Sequence, residues 1–207
     1  AWSAPAPDAL AVDSSSVRPQ WGLVGSQGLF GVVTRVRLRT YPLPAQREAV
    51  LLPVPDMPEA MRVLAAARQA FPGAIEEFEF MGRASLELVR EHLGEAFRWP
   101  YEGEVRIDSP FYVLLQVKSQ DAETDLAGAL YELVSETLRF PAERIGYAPL
   151  PVLKKLRHSI TESSNARMRK LGGGRLSFDT ATPVAVFGDY LATLEQELRA
   201  AHPEVEF

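Results

Sequence analysis

Apolar positions along the chain recur with a two-residue period in some stretches and with a period near 3.6 in others, and glycine and proline separate the two. Residues 1–20 are rich in Pro, Ala and Ser, have no sustained period, and read as a loop or flexible arm. Residues 21–41 read as strand, glycine turn, strand. In the second of these strands Val32, Thr34, Val36 and Leu38 alternate with Val33, Arg35, Arg37 and Arg39. Pro42 and Pro44 end it and mark a domain boundary.

From Glu48 onward strands and helices alternate. Residues 49–54 are a short buried strand, and residues 57–71 a helix with Met57, Met61, Leu64 and Phe71 near one face. A second strand covers 74–80, a short helix follows with Leu86, Val89 and Leu93, and 94–109 is a polar loop bearing aromatic residues. Phe111, Val113, Leu115 and Val117 alternate cleanly as the third strand. Asp121 is placed to cap a helix reaching about Arg139, with Leu126, Leu130, Leu133 and Leu138 on its apolar stripe. Residues 144–147 form a fourth, edge strand. Pro149 and Pro151 open a long helix that runs through Lys170 and ends at Gly172, Gly173 and Gly174. Leu176 and Phe178 define another strand, Phe187, Leu191, Leu194 and Leu198 a last helix, and Val205 begins a final strand. The sum is an α+β, ferredoxin-like split βαβ layout: an antiparallel sheet with helices on one face and a helical insertion.

Composition narrows the functional classes. The chain has 207 residues, 46% hydrophobic and 24% charged, an ordinary balance for a globular protein. Its net charge of −5 argues against general nucleic-acid binding. It has no cysteine, which excludes disulfides, thiolate metal sites and a catalytic thiol within it. No apolar run approaches the roughly 20 residues of a membrane span, and no secretory signal is present, so a cytoplasmic location is expected. His92, His158 and His202 do not make a metal pair by spacing, and the acidic residues are spread as on solvated helix faces.

Two stretches carry candidate chemistry. Gly25, Gly28 and Gly31 lie between the apolar Leu23-Val24 and Val32-Val33. Glycine tolerates positive φ and lets a backbone approach a ligand with no Cβ in the way. On spacing alone the stretch is a tight turn between strands. The helix required by a dinucleotide-binding βα fingerprint does not follow, which excludes that reading. Arg157 and Thr161, four apart on the long helix, share a face beside the apolar stripe of Leu153, Leu156 and Ile160. An arginine fork binds a carboxylate bidentately and a threonine hydroxyl adds a donor. Arg175 or Ser177, on the next strand, could converge on the same place. On the residues alone the pair reads first as a solvent-facing arginine and a helix-interior threonine.

The segment Gly25 to Thr34, running into Val36-Arg37-Leu38-Arg39-Thr40-Tyr41-Pro42-Leu43-Pro44, resembles the closing segment of the FAD-binding domain of FAD-linked oxidases of the vanillyl-alcohol-oxidase type. Gln27 and Leu29 stand where that family usually has glutamate and threonine. Four further motifs follow in order: Glu77-Phe78-Glu79-Phe80-Met81, Ser109-Pro110-Phe111-Tyr112-Val113, Leu156-Arg157-His158-Ser159-Ile160-Thr161-Glu162, and Asp179-Thr180-Ala181-Thr182-Pro183-Val184. Together they resemble the C-terminal substrate domain of the D-2-hydroxyglutarate and D-lactate dehydrogenase branch. The resemblance implies residues 1–44 as arm and last strands of an FAD domain, and 45–207 as a substrate domain truncated at its C-terminus. It also implies a function: oxidation of a D-2-hydroxy acid of the 2-hydroxyglutarate, lactate or glycolate class by hydride transfer to FAD.

The same resemblance places the cofactor against Gly25, Ser26, Gly28, Gly31 and Val33, and the substrate carboxylates against Arg157 and Thr161. Ser177 stands where the family has a lysine, and Arg175 is a substitute from the same strand face. His158 replaces a usual glutamate and reads as a helix-surface residue. The family's H-x-G-D-G-N-x-H signature, which supplies the catalytic base and a divalent-metal site, follows a strand of the kind beginning at Val205, and this chain stops at Phe207. No catalytic or metal-binding residue is therefore assigned within it. The chain is expected to be inactive and flavin-free alone, and to work as part of a homo-oligomer or beside a partner subunit. The alternatives are a non-catalytic ferredoxin-like module that binds a small carboxylate or a partner chain, a glycolate-oxidase-like subunit, and a relative of the alkylglycerone-phosphate synthases.

Overall fold

The structure, a computed structural model, describes residues 23–95, 97, 99–100, 107–173 and 180–203. The chain divides into two compact units, Ala1–Tyr41 and Pro42–Phe207. The arm at 1–20, the strand expected around Leu176 and Phe178, and the one expected from Val205 lie outside the described residues, as do Arg175 and Ser177.

In the first unit the glycine stretch is a run of tight turns. Ser26 N donates to Leu23 O at 3.2 Å, Leu29 N to Ser26 O at 2.9 Å, and Gly31 N to Gly28 O at 3.3 Å. Residues 32–41 are not a strand, contrary to the alternation of Val32, Thr34, Val36 and Leu38. Alternation decides which side chains share a face, but a strand also needs a neighbour to complete its ladder. Among the described residues this segment has none, and Val32, Val36 and Leu38 are exposed.

The second unit is built on four strands: β1 (Gln46–Val54), β2 (Ile75–Gly82), β3 (Phe111–Ser119) and β4 (Gly146–Tyr147), in the order β2-β3-β1-β4. Every neighbouring pair is antiparallel, so β1 and β2 run in the same direction with β3 between them. This is the ferredoxin-like split βαβ arrangement that the sequence predicts. β1 and β3 pair residue for residue, from Gln46 opposite Ser119 to Val54 opposite Phe111.

Two helices link these strands on one face, α1 (Met57–Ala70) and α3 (Leu126–Glu132), the latter continuing as a π-turn at Leu133–Thr137. Val50, Leu52, Val54, Val113, Leu115 and Val117 meet Ala60, Val63 and Ala67 of α1 and Leu126, Leu130 and Leu133 of α3 there. α1 starts where Asp56 accepts a hydrogen bond from Glu59 N at 2.9 Å. The helix of 121–139 begins later than expected, at Leu126. Asp125, not Asp121, caps it by accepting from Gly128 N at 2.9 Å, while Asp121 closes a preceding turn by accepting from Glu123 N at 2.9 Å.

The inserted helix α2 (Arg83–Leu93) and the long α4 (Leu150–Leu171) cover the opposite face. Ala49, Leu51, Tyr112 and Leu114 pack there against Leu86, Leu153 and Leu156. With both faces covered, the middles of β1 and β3 are near-continuous apolar runs. α4 ends at Gly172, which takes φ +69°, where a Cβ would be strained. The last helix is α5 (Phe187–Ala201).

Leu115 has no exposed surface. We expect Leu115→Ala to lower the unfolding free energy by about 2–5 kcal/mol in urea titrations. Leu171→Ala, at the exposed end of α4, changes it by no more than about 0.5 kcal/mol.

Candidate functional site

β2 is an edge strand of unusual composition. Phe78 and Phe80 turn towards α1, and Glu77, Glu79 and Met81 turn towards α4. The register shifts between Ile75 and Glu77, and this bulge lets Glu76 reach the α4 side as well as Glu77. Three carboxylates thus stand in a row on the sheet face that α4 crosses.

Each is met by a cation. Arg47, on β1, holds Glu76 with Nε at 2.6 Å and Nη2 at 3.2 Å. Lys154 Nζ lies 3.5 Å from Glu77, and Arg157 reaches Glu79 with Nε at 2.9 Å and Nη2 at 3.2 Å. Lys154 and Arg157 are three residues apart on a helix, about 4.5 Å of rise. Their partners are two apart on a strand, about 6.6 Å. Long cationic side chains span that difference.

Beneath this row Gln116 is fully buried, donates to Glu76 at 2.5 Å, and keeps an Oε1 with no partner among the described residues. The hydrogen bond from Arg47 holds the Glu76 carboxyl below the usual glutamate range. Partial burial opposes that shift, and the Gln116 hydrogen bond adds to it.

Arg157 is about one-third exposed, with Leu153 and Leu156 buried beside it on α4. Thr161 lies one turn further on and is exposed, and among the described residues its hydroxyl has no hydrogen-bond partner. Glu79 is the one side-chain partner of Arg157 among the described residues. A guanidinium carries five N–H donors, so two are engaged here and three remain. The chemistry on offer is recognition of a carboxylate by charge-assisted hydrogen bonds. His158 is exposed on α4, and His92 lies 3.7 Å from Glu162. Among the described residues no group of three or more His, Asp or Glu side chains is placed to hold a metal ion.

In the other unit, Gly25, Gly28 and Gly31 take φ of +79°, +86° and +144°, and beyond each glycine and its two chain neighbours no heavy atom lies within 4 Å of where a Cβ would stand. Ser26 is half-buried, whereas Val33 is exposed. A backbone so arranged leaves room for a flat or phosphorylated group.

The sequence places Glu77 and Glu79 in a family motif but assigns no role in the site to them or to Lys154. The available signal was the alternation of acid and phenylalanine in Glu77-Phe78-Glu79-Phe80, set against cations three apart at 154 and 157. On the opposite face of the sheet, α1, β2 and residues 180–187 border an apolar cavity of about 730 Å³ that includes Met61, Phe78 and Phe187. Among the described residues no helix is long and apolar enough to cross a membrane.

Residues 43–205 match the family described as FAD linked oxidases, C-terminal domain. The chain is 28% identical over 202 residues to a D-2-hydroxyglutarate dehydrogenase of Xanthomonas citri, covering 96% of this chain and 40% of that protein. It is 26% identical over 185 residues to the mitochondrial D-2-hydroxyglutarate dehydrogenase of Rattus norvegicus, covering 86% and 32%. A D-lactate dehydrogenase of Archaeoglobus fulgidus is 34% identical over 87 residues, 41% of this chain and 18% of that protein. The chain spans 32–40% of the length of the curated relatives that it matches over most of its own.

The lowered Glu76 value fixes the sign of a pH effect. A carboxyl with a depressed folded value adds stability above its unfolded value, about 4.3, and loses it as pH falls through the folded one. Glu76→Gln is therefore expected to cost about 1 kcal/mol at neutral pH. The difference from the unmodified protein shrinks below pH of about 4.3, as read by urea unfolding across a pH series.

Proposed function

We propose, from the premise that this chain belongs to the FAD-linked oxidases and carries their C-terminal domain over residues 43–205, that its complete protein oxidises a D-2-hydroxy acid. In this reading α4 supplies the carboxylate-binding side of the substrate site. The observation that carries it is Arg157: a one-third-exposed guanidinium on a rigid helix, with donors to spare and a threonine one turn away. Relatives named D-2-hydroxyglutarate and D-lactate dehydrogenase support the substrate class.

The roles divide by chemistry. Arg157 binds the substrate carboxylate through its free N–H groups, and Thr161 donates its hydroxyl to the same group. Arg175 and Ser177 are assigned to the substrate as well, from positions outside the described residues. Residues 1–44 are assigned to the FAD-binding domain and 45–207 to the substrate domain. The open backbone at Gly25, Gly28 and Gly31 fits a flavin cofactor, and Ser26 and Val33 would hold it together with them. FAD, when bound, supplies the acceptor for the hydride that leaves C2 of the substrate. The chain's own contribution is to hold the carboxylate in one orientation, so that C2 is presented in a single pose. A cytoplasmic location and association with a second copy or a partner subunit belong to the same proposal, to be read by fractionation and sizing of the complete protein.

In the full-length flavoprotein, Arg157→Ala is expected to lower kcat/KM at least tenfold with flavin content unchanged, since a hydrogen bond to a charged group contributes about 1.5–3 kcal/mol. Steady-state kinetics with D-lactate and D-2-hydroxyglutarate, alongside the visible flavin spectrum, checks this. An unaltered kcat/KM removes Arg157 from the substrate site. Thr161→Val, which loses one neutral donor, is expected to lower kcat/KM by about three- to tenfold.

A further inference from the structure

We propose that Glu79 is the positioning residue for Arg157: it holds one edge of the guanidinium so that the other is aimed, already ordered, at an incoming carboxylate. The proposal rests on the reading of Arg157 as the substrate's carboxylate ligand and adds the group that orients it. Its basis is the two-point contact in which Arg157 Nε lies 2.9 Å from Glu79 Oε2 and Nη2 lies 3.2 Å from Oε1.

Both partners are anchored by their backbones. Glu79 stands opposite Leu114 in the β2–β3 ladder, two residues before the buried Met81. Arg157 follows the fully buried Leu156 on α4. A planar fork gripped along its Nε–Nη2 edge has little rotational freedom. Its remaining donors, both on Nη1 and the second on Nη2, form the edge that suits another carboxylate.

Glu79 also acts in the opposite sense, because its negative charge opposes a second carboxylate on the far side of the guanidinium. Both groups are one-third exposed, where charge interactions are screened and small. Orientation outweighs that repulsion: a four-torsion side chain left free must be ordered at each binding event. Glu77 is engaged by Lys154, and Glu76 by Arg47 and Gln116, so neither replaces Glu79 at Arg157.

A group that orients a ligand for the carboxylate acts alike on bound substrate and transition state, so its loss falls on KM rather than kcat. The test is a double-mutant cycle in the full-length flavoprotein with D-lactate and D-2-hydroxyglutarate, taking Glu79→Gln, Arg157→Ala and the double variant. Thermal unfolding and the flavin spectrum serve as controls for fold and cofactor. We expect Glu79→Gln to raise KM about five- to tenfold with kcat within about twofold, and the double variant to be no worse than Arg157→Ala alone. If Arg157→Ala is impaired while Glu79→Gln is silent, or if the two losses multiply, Glu79 does not act through Arg157 and this inference fails alone. If Arg157→Ala is itself unimpaired, the substrate reading fails and takes this inference with it.

Discussion

The nine-residue pairing of β1 with β3 is the constraint on which the rest of the second unit depends. Both strands are central and covered on both faces, so their middles are apolar whichever way the side chains point. A slip by one residue exchanges the two faces completely. Here it would swap Val50 and Leu52 for Ala49 and Leu51, a change of volume rather than of polarity. Polarity discriminates only at the end of the ladder. Gln116 and Arg47 both turn towards α4, where Glu76 accepts a hydrogen bond from each. A slip of either strand would carry its own polar residue, Arg47 of β1 or Gln116 of β3, towards the apolar layer under α1 and α3, at the cost of burying an unsatisfied polar group. The polar cluster therefore specifies the register that the apolar residues alone leave weakly determined.

The same register sets the site. β2 takes its alignment from β3, and the bulge between Ile75 and Glu77 adds one carboxylate to the face carrying Glu77 and Glu79. α4 is fixed over that face by Leu153 and Leu156, which have no exposed surface, and its cations then fall opposite the row of acids. The result is a wall in which each of three carboxylates has a cationic partner, with Lys118 as a further cation acting on Glu76. Exposed charges are screened beyond roughly 8–10 Å, so recognition there depends on donor geometry at short range. For the substrate site proposed here, that shifts the burden from net charge to the direction in which Arg157 points.

Most of the architecture was legible because strong periodicity and strong punctuation coincide. Phe111 to Val117, the prolines at the start of α4 and the glycines after it each specify an element through a mechanism that acts within a few residues. Failures came where the deciding partner is remote or where two local signals compete. Asp121 and Asp125 are equally good caps by composition, and the turn closed by Asp121 settled the matter. The alternation from Val32 to Leu38 is a sound strand pattern that names no partner, and no ladder forms there among the described residues. At the site, Arg157 and Thr161 could be placed on one helix face from their spacing. The pairing of Arg157 with Glu79 joins residues 78 apart in sequence, and no local rule brings them together.

Energetics separates what the Glu79–Arg157 pair does for the fold from what it does for a ligand. A pair in which both side chains are one-third exposed contributes about 0–1 kcal/mol to stability, because solvent screens it and two long side chains must be ordered to form it. The core beneath it does far more, since truncating any one of its buried leucines costs about 2–5 kcal/mol. The pair is thus a minor element of the fold. Its two-point geometry has a different consequence: the ordering cost of the arginine is met once, on folding, and is not levied again when a carboxylate arrives. Weak stabilisation combined with strict geometry is the pattern expected of a binding group held ready.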